Sequence, residues 1–195
     1  MTPGVFKLRP FVYQPPWQPF LLNGPDAVFL TLRDVPDKMV DTGVQWFVRP
    51  VEDSKVLAGS VKTAADILAI ARTVLTPDPS EIPNGSLRHD TELMLTKVVR
   101  IYAEWRIWVV AGEIVTHSLY KEGARVVYRP EIDTDALAFA QSLVDRNAGY
   151  ATAYVIDICR TENGLKMLET NCIKAAGLYA ADVMRLAAAI DGLTA

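Results

Sequence analysis

The sequence has little of what a disulfide-stabilised or zinc-binding scaffold needs. Its 195 residues include only two cysteines, Cys159 and Cys172, and two histidines. Two cysteines do not build a disulfide framework, and neither their number nor their spacing is typical of a zinc site. We therefore expect two free thiols, as in a protein from a reducing compartment.

Long apolar runs and an excess of basic charge are also missing. No run approaches the roughly 20 apolar residues that a membrane-spanning helix needs. Residues 1–10 do not resemble a signal peptide, because charge and proline take the place of an apolar segment. A net charge of −3 offers no general attraction for nucleic-acid phosphates. We expect a cytoplasmic protein that binds neither nucleic acid nor membrane.

The residues that are present favour an ordinary folded domain. Half of them are hydrophobic and 22% are charged. Segments with strand and helix periodicity alternate without a regular β-α-β order, which predicts an α+β fold with mixed or antiparallel sheets. Thr63 and Asp66 fit a variant capping box at the start of a helix. Strands are predicted near residues 27–32, 45–49, 92–100, 103–110, 113–120, 153–159 and 165–170, and further helices near 133–146 and 180–190.

The most informative segment is a predicted hairpin at residues 154–171. With a three-residue turn, Asp157 would lie opposite Glu169, and Val155 opposite Asn171. Opposed and alternate residues share one face of a sheet, so the two acids and the amide would point the same way. A two-residue turn would instead put the two acids on opposite faces.

Two facing carboxylates in apolar surroundings would repel each other and would be costly to desolvate. A divalent cation removes both penalties. Oxygen ligands from Asp157, Glu169 and Asn171 suit Mg²⁺, which keeps several waters and binds substrate phosphates. The alternative is a surface hairpin whose acids face water. The amide two residues after the glutamate favours the metal site.

A second predicted hairpin carries charges beside a tryptophan. With a two-residue turn at residues 111–112, Arg106 would oppose His117, and Glu104, Trp108 and Leu119 would share its face. Charges that alternate with Trp on a strand are unusual unless they have partners. The alternatives are a structural Glu104–Arg106 pair or a solvated face. The other face would carry Ser118 and Tyr120.

These blocks resemble the ATP-grasp superfamily. The Asp followed twelve and fourteen residues later by Glu-x-Asn resembles its metal site. Residues 47–59 look like the strand and loop that cover the nucleotide phosphates, and residues 104–112 look like its Glu-x-Arg strand. Residues 175–179 resemble the small-residue turn into the last helix. The pattern Arg-Pro-x-x-Asp-x-Lys is similar to that of a bacterial and phage-associated group.

The resemblance covers residues 47–190 and implies an ATP-grasp fold, in which two α+β lobes with mostly antiparallel sheets grip a nucleotide. It divides the chain into a Pro/aromatic-rich arm and short strand region (1–46), a small nucleotide-covering lobe (47–95) and a large metal-binding lobe (96–195). The domain that usually precedes these lobes is abbreviated. The acceptor would therefore bind against the arm, whose aromatics we expect to pack on the body, or at a site that a second copy or a partner chain completes.

The resemblance also implies roles for single residues. Asp157, Glu169 and Asn171 would hold one or two Mg²⁺ ions that bridge the ATP phosphates. Arg106 would stabilise the transferred γ-phosphoryl group, and Lys55 would act with it from the small lobe. Further nucleotide contacts are expected from Arg49, Asp53, Lys55, Leu95, Lys97 and Glu104.

The expected function is that of an ATP- and Mg²⁺-dependent carboxylate–amine ligase, which forms an amide through an acyl phosphate and releases ADP. Its substrates would be a carboxylate and an amine, each a small molecule or a peptide. A kinase that phosphorylates a small-molecule acceptor and a noncatalytic nucleotide-binding or interaction module are the alternatives. P-loop and dinucleotide-binding glycine motifs are absent from the sequence.

Overall fold

The chain forms two compact units, each built on an antiparallel sheet. The structure is a computed structural model and describes residues 15–22, 26–51, 56–146 and 150–193. One unit includes residues 26–51 and 56–98, and the other includes residues 15–22, 99–146 and 150–193. The predicted α+β class is confirmed. No helix of the described residues is both long and apolar enough to cross a membrane.

The first unit has a four-stranded sheet in the order β1-β4-β2-β3. Helix α2 begins with the predicted capping box, in which the Asp66 amide donates to Thr63 Oγ1 (3.2 Å) and the Thr63 amide donates to Asp66 Oδ2 (2.9 Å). Its apolar face packs on the sheet through Ile67 and Ala71. The elements are β1 (Val28–Thr31), α1 (Val35–Lys38), β2 (Gln45–Pro50), β3 (Ser60–Thr63), α2 (Ala64–Leu75) and β4 (Glu92–Lys97).

The second unit has a five-stranded sheet in the order β7-β6-β5-β8-β9. A 3₁₀ helix (Pro15–Phe20) lies at its start, and a second one (Ile173–Ala175) precedes the last helix. The edge strand β7 and the short helix α1 of the first unit are additions to the predicted elements. The elements are β5 (Ile101–Val110), β6 (Glu113–Glu122), β7 (Arg125–Arg129), α3 (Thr134–Asp145), β8 (Ala153–Thr161), β9 (Gly164–Asn171) and α4 (Val183–Asp191).

One face of this second sheet forms the main hydrophobic core. Helix α3 covers it, and alternate strand residues such as Trp105, Ile107 and Ile156 point into it. Trp17 of the first 3₁₀ helix is 1% exposed, and its indole N–H donates to the Leu143 carbonyl at 2.9 Å. The expected packing of an aromatic arm is therefore seen at this residue, whereas residues 1–14 lie outside the described part.

The β8–β9 hairpin reaches the predicted pairing by another route. Thr161 pairs with Gly164, so the turn has two residues and the predicted three-residue turn is wrong. A register shift then leaves Leu168 as an extra residue on β9, a β-bulge that restores the opposition of Asp157 to Glu169. The Asn171–Val155 pairing also agrees with the prediction.

The β5–β6 hairpin has the predicted two-residue turn, with φ of 51° at Ala111 and 82° at Gly112, as a type I′ turn requires. Two register shifts follow. Arg106 consequently lies opposite Ser118, so the predicted opposition to His117 is wrong. Leu119 belongs to the core under α3, not to the face of Arg106. The extra residues on β6 are Val115 and Tyr120.

Both cysteines are free and buried, as predicted. Cys159 lies opposite Lys166 on β9 and Cys172 follows the end of that strand. Burial raises the pKa of the Cys159 thiol to about 12, so this thiol stays protonated and is chemically quiet.

Removing the Trp17 ring should destabilise the second unit strongly. Trp17→Ala deletes a fully buried ring that bridges α3 and β9, and such deletions cost about 3–5 kcal/mol. Phe20→Ala is the matched control, because Phe20 in the same 3₁₀ helix is only partly buried. Urea denaturation of both variants measures the free energy of unfolding. A loss for Trp17→Ala no larger than that for Phe20→Ala would contradict the assignment of this segment to the core.

Candidate functional site

The second face of the five-stranded sheet is divided between apolar and polar side chains. Helix α4 covers one part through Leu186, which packs on Trp108 and Val155. Beside this apolar part lie five residues that we call the polar patch: Glu104, Arg106, Asp157, Glu169 and Asn171. They share a face because Arg106 lies opposite Asp157, which lies opposite Glu169, and the other two are alternate residues on the same strands.

A buried ion pair joins Arg106 and Asp157 at the centre of the patch. Arg106 Nε donates to Asp157 Oδ1 at 2.8 Å, and Nη2 donates to Oδ2 at 2.6 Å. The two residues are only 8% and 1% exposed. A third contact runs from Arg106 Nη1 to the Gly177 carbonyl at 3.5 Å. This two-pronged geometry is the strongest form that a guanidinium–carboxylate contact takes.

Burial and pairing act in opposite directions on these two groups. Burial raises the pKa of Asp157 to about 6, although the hydrogen bonds and charge of Arg106 pull it down. The nearby charges of Glu169 and Glu104 add to the increase. Burial alone would lower the pKa of Arg106, but the contacts with Asp157 raise it above its usual range, so the guanidinium stays charged.

Glu104 has partners other than Arg106. The Tyr120 hydroxyl donates to its Oε2 at 2.7 Å, and Lys121 Nζ lies 2.8 Å from its Oε1. Burial and the charges of Asp157 and Glu104 raise the pKa of Tyr120, which keeps the hydroxyl protonated as a donor. The structure thus favours neither the Glu104–Arg106 pair nor the solvated face that the sequence left open.

Glu169 and Asn171 occupy the edge strand β9. The Asn171 amide donates from Nδ2 to Glu169 Oε1 at 3.2 Å, and both side chains are partly exposed. Within the described ranges, no group of three or more His, Cys, Asp or Glu side chains gathers as a metal cage. The available donors are two carboxylates and an amide oxygen, all hard oxygen ligands.

This donor set fits Mg²⁺. A carboxylate offers about four lone-pair positions, so the two hydrogen bonds from Arg106 leave Asp157 able to act as a ligand. Mg²⁺ takes only one or two carboxylates in nucleotide sites and completes its shell with water and phosphate oxygens. The positive charge of Arg106 beside the ligands would weaken binding of the bare ion and would favour the ion together with an anion.

The sequence did not predict the aromatic residues around Arg106. The Tyr179 ring stacks between Tyr120 and Tyr128, with centroid distances of 5.2 and 5.1 Å. Arg106 Cζ lies 4.9 Å from the Tyr179 centroid and 5.6 Å from that of Tyr120. Tyr120 and Ser118 were predicted on the opposite face, because simple alternation does not anticipate the bulges on β6. That prediction is wrong, and no signal in the sequence links Tyr179 to this place.

The remaining predicted residues belong to the first unit. Arg49 is partly buried on β2, opposite Met94, and Lys97 is exposed at the end of β4. Leu95 is 1% exposed and packs in the core of that unit, so its side chain has no free surface for a ligand. Two further predicted residues, Asp53 and Lys55, lie outside the described residues.

Comparison with solved structures finds ATP-grasp ligases. D-cycloserine synthetase DcsG matches with 14% identity and a TM-score of 0.56, over 84% of this chain and 63% of that one. D-alanine–D-alanine ligase from Bacillus anthracis matches with 14% identity and a TM-score of 0.55, over 86% and 60%. The same ligase in complex with ATP matches with 15% identity and a TM-score of 0.52, over 86% and 59%.

At these identities the similarity shows a shared fold. The chain spans about 60% of the length of these proteins. No curated protein matches the sequence. The model of an ATP-grasp domain family, the third family of its clade, matches residues 23–190. Because this match covers most of the chain, the protein belongs to this ATP-grasp domain family.

Proposed function

We propose that this protein is an ATP- and Mg²⁺-dependent ligase that joins a carboxylate to an amine and releases ADP and phosphate. The observation that carries the proposal is the buried Arg106–Asp157 pair beside Glu169 and Asn171 on one sheet face. A fixed cation next to hard oxygen ligands suits phosphoryl transfer, which needs positioning and charge neutralisation more than a covalent catalyst.

In the proposed site, Asp157, Glu169 and Asn171 hold Mg²⁺, which when bound neutralises charge on the ATP phosphates. Arg106 directs its positive charge at the transferred γ-phosphoryl group. Glu104, fixed by Tyr120 and Lys121, adds a hydrogen-bond acceptor for the nucleotide. The predicted contacts of Arg49, Asp53, Lys55, Leu95 and Lys97 with the nucleotide remain part of the proposal through the family resemblance.

The proposed reaction has two steps. A carboxylate oxygen of the acid attacks the γ-phosphorus of ATP, so that an acyl phosphate forms and ADP leaves. The amine nitrogen then attacks the acyl carbon, phosphate leaves, and the nitrogen releases a proton. The acid and the amine are small molecules or peptides, and a second copy or a partner chain completes the acceptor site. Formation of a phosphoester in place of an amide would indicate a kinase.

Nucleotide and metal should stabilise the protein only together. Ligand at about 100 times its Kd adds about 2.7 kcal/mol, which raises Tm by several degrees in a chain of this size. Thermal unfolding with ATP plus Mg²⁺, ATP plus chelator, and Mg²⁺ alone measures this. Glu169→Gln should lose the increase because a ligand carboxylate is lost.

The matched control is Glu162→Gln, which removes an exposed carboxylate from the turn of the same hairpin and should keep the increase. No increase in Tm for the wild-type protein at millimolar ATP would contradict nucleotide binding. An undiminished increase in Glu169→Gln would contradict the metal assignment.

Replacing Arg106 should lower turnover more than nucleotide affinity. A cation that acts on charge developing in the transition state contributes about 100-fold or more to kcat. Arg106→Gln also leaves a buried carboxylate unpaired, so the fraction folded must be measured alongside the rate of ADP release from acids and amines. Equal losses in kcat and in ATP affinity would show that Arg106 only binds the ground state.

The proposal requires Asp157 to be ionised, and its pKa of about 6 makes this dependent on pH. Removing the cation in Arg106→Gln should raise the pKa of Asp157 further, because the charged form loses its partner. Titration of the side-chain carboxyl carbon by NMR measures the midpoint. Lys121→Gln, which removes a cation paired with Glu104, should shift it less. A midpoint that stays or falls in Arg106→Gln would contradict this electrostatic picture.

A further inference from the structure

The turn before helix α4 is fastened to strand β6 by two hydroxyl groups. The Ala180 amide donates to Ser118 Oγ at 3.2 Å, and the Asp182 amide donates to Thr116 Oγ1 at 2.8 Å. Both hydroxyl residues are buried. Because β6 also lies next to Arg106 on β5, these bonds fix the neighbouring residue, Tyr179, in a definite place on the face of the polar patch.

The backbone of Tyr179 has the left-handed conformation, with φ of 50°. A residue with a Cβ adopts this conformation at a cost, so the surrounding contacts must impose it. Gly177 leaves room for the ring, since a Cβ at that position would come within 3.2 Å of it. The Gly177 carbonyl also accepts the hydrogen bond from Arg106 Nη1. One strained turn therefore supplies both a ring and a carbonyl to the same guanidinium.

The guanidinium of Arg106 is held at its edges and against aromatic rings. Asp157 and Gly177 take three of its five N–H groups. The rings of Tyr179 and Tyr120 lie 4.9 and 5.6 Å from its central carbon. A cation near an aromatic ring is attracted by it, and the ring restricts how the cation can turn. Two N–H groups are left in a fixed direction for an anionic ligand.

We propose that Tyr179 is a positioning residue, whose ring holds the Arg106 guanidinium in the orientation that receives the γ-phosphate of ATP. This inference rests on the proposed function. Tyr179 acts through Arg106 and has no contact with the nucleotide. Loss of the ring should therefore weaken the binding of ATP, which has a γ-phosphate, more than the binding of ADP, which has none.

The test measures the Kd of ADP and of ATP, each with Mg²⁺, by calorimetry. Tyr179→Gly removes the ring and suits the left-handed backbone, so the protein should keep its Tm. The ratio of Kd(ADP) to Kd(ATP) should fall by about threefold to tenfold, the size of a lost cation–π contact. Tyr179→Phe should retain the wild-type ratio. Tyr102→Leu is the control, because it removes another tyrosine that contacts an arginine, Arg100, away from the patch.

A double-mutant cycle separates positioning from direct binding. In an Arg106→Gln background, Tyr179→Gly should leave the ratio unchanged. An unchanged ratio in the single variant Tyr179→Gly would overturn the inference, and so would a further fall in the double variant. If wild-type protein binds neither nucleotide, the proposed function itself fails, whereas wild-type ATP preference with an unaffected Tyr179→Gly rejects only the role of Tyr179.

Discussion

The buried pair of Arg106 and Asp157 is the interaction on which the rest of the polar patch depends. Two charges that are almost fully removed from water are tolerated only when the geometry is good and further partners exist. Here the fork of the guanidinium meets both carboxylate oxygens, and Gly177 and the tyrosine rings contact the remaining surface of the cation. The turn before α4 must therefore lie over this part of the sheet, and the hydroxyl groups of β6 hold it there.

The two faces of the five-stranded sheet divide the work of stability and chemistry. The face under α3 is filled by apolar side chains and by Trp17, so it supplies the hydrophobic free energy that fixes the strands. The other face needs only the smaller apolar cluster around Leu186 to hold α4. The rest of that face can carry charges because the rigid sheet beneath sets their spacing. Such a sheet positions side chains more accurately than a loop would.

The sequence predicted the composition of the patch better than its geometry. Asp157, Glu169 and Asn171 could be placed together because alternation along a strand is regular, and the pairing was correct although the turn was not. Ser118 and Tyr120 were misplaced because each bulge on β6 changes the alternation, and no residue type marks such a bulge reliably. The contact of Tyr179 with Arg106 joins positions that are distant in the chain, and only the tertiary fold brings them together.

Asp157 has two requirements to meet in the proposed site, and they are compatible for a physical reason. It must neutralise Arg106 in the free protein and offer oxygen lone pairs to Mg²⁺ when nucleotide binds. The free protein keeps the guanidinium and the carboxylate as each other's counterion, which limits the cost of burying either. ATP brings phosphate charge that can take over the pairing with Arg106, and Mg²⁺ brings charge that can take over the pairing with Asp157. Each charge in the site then keeps a partner of opposite sign, so nucleotide and metal favour each other's binding.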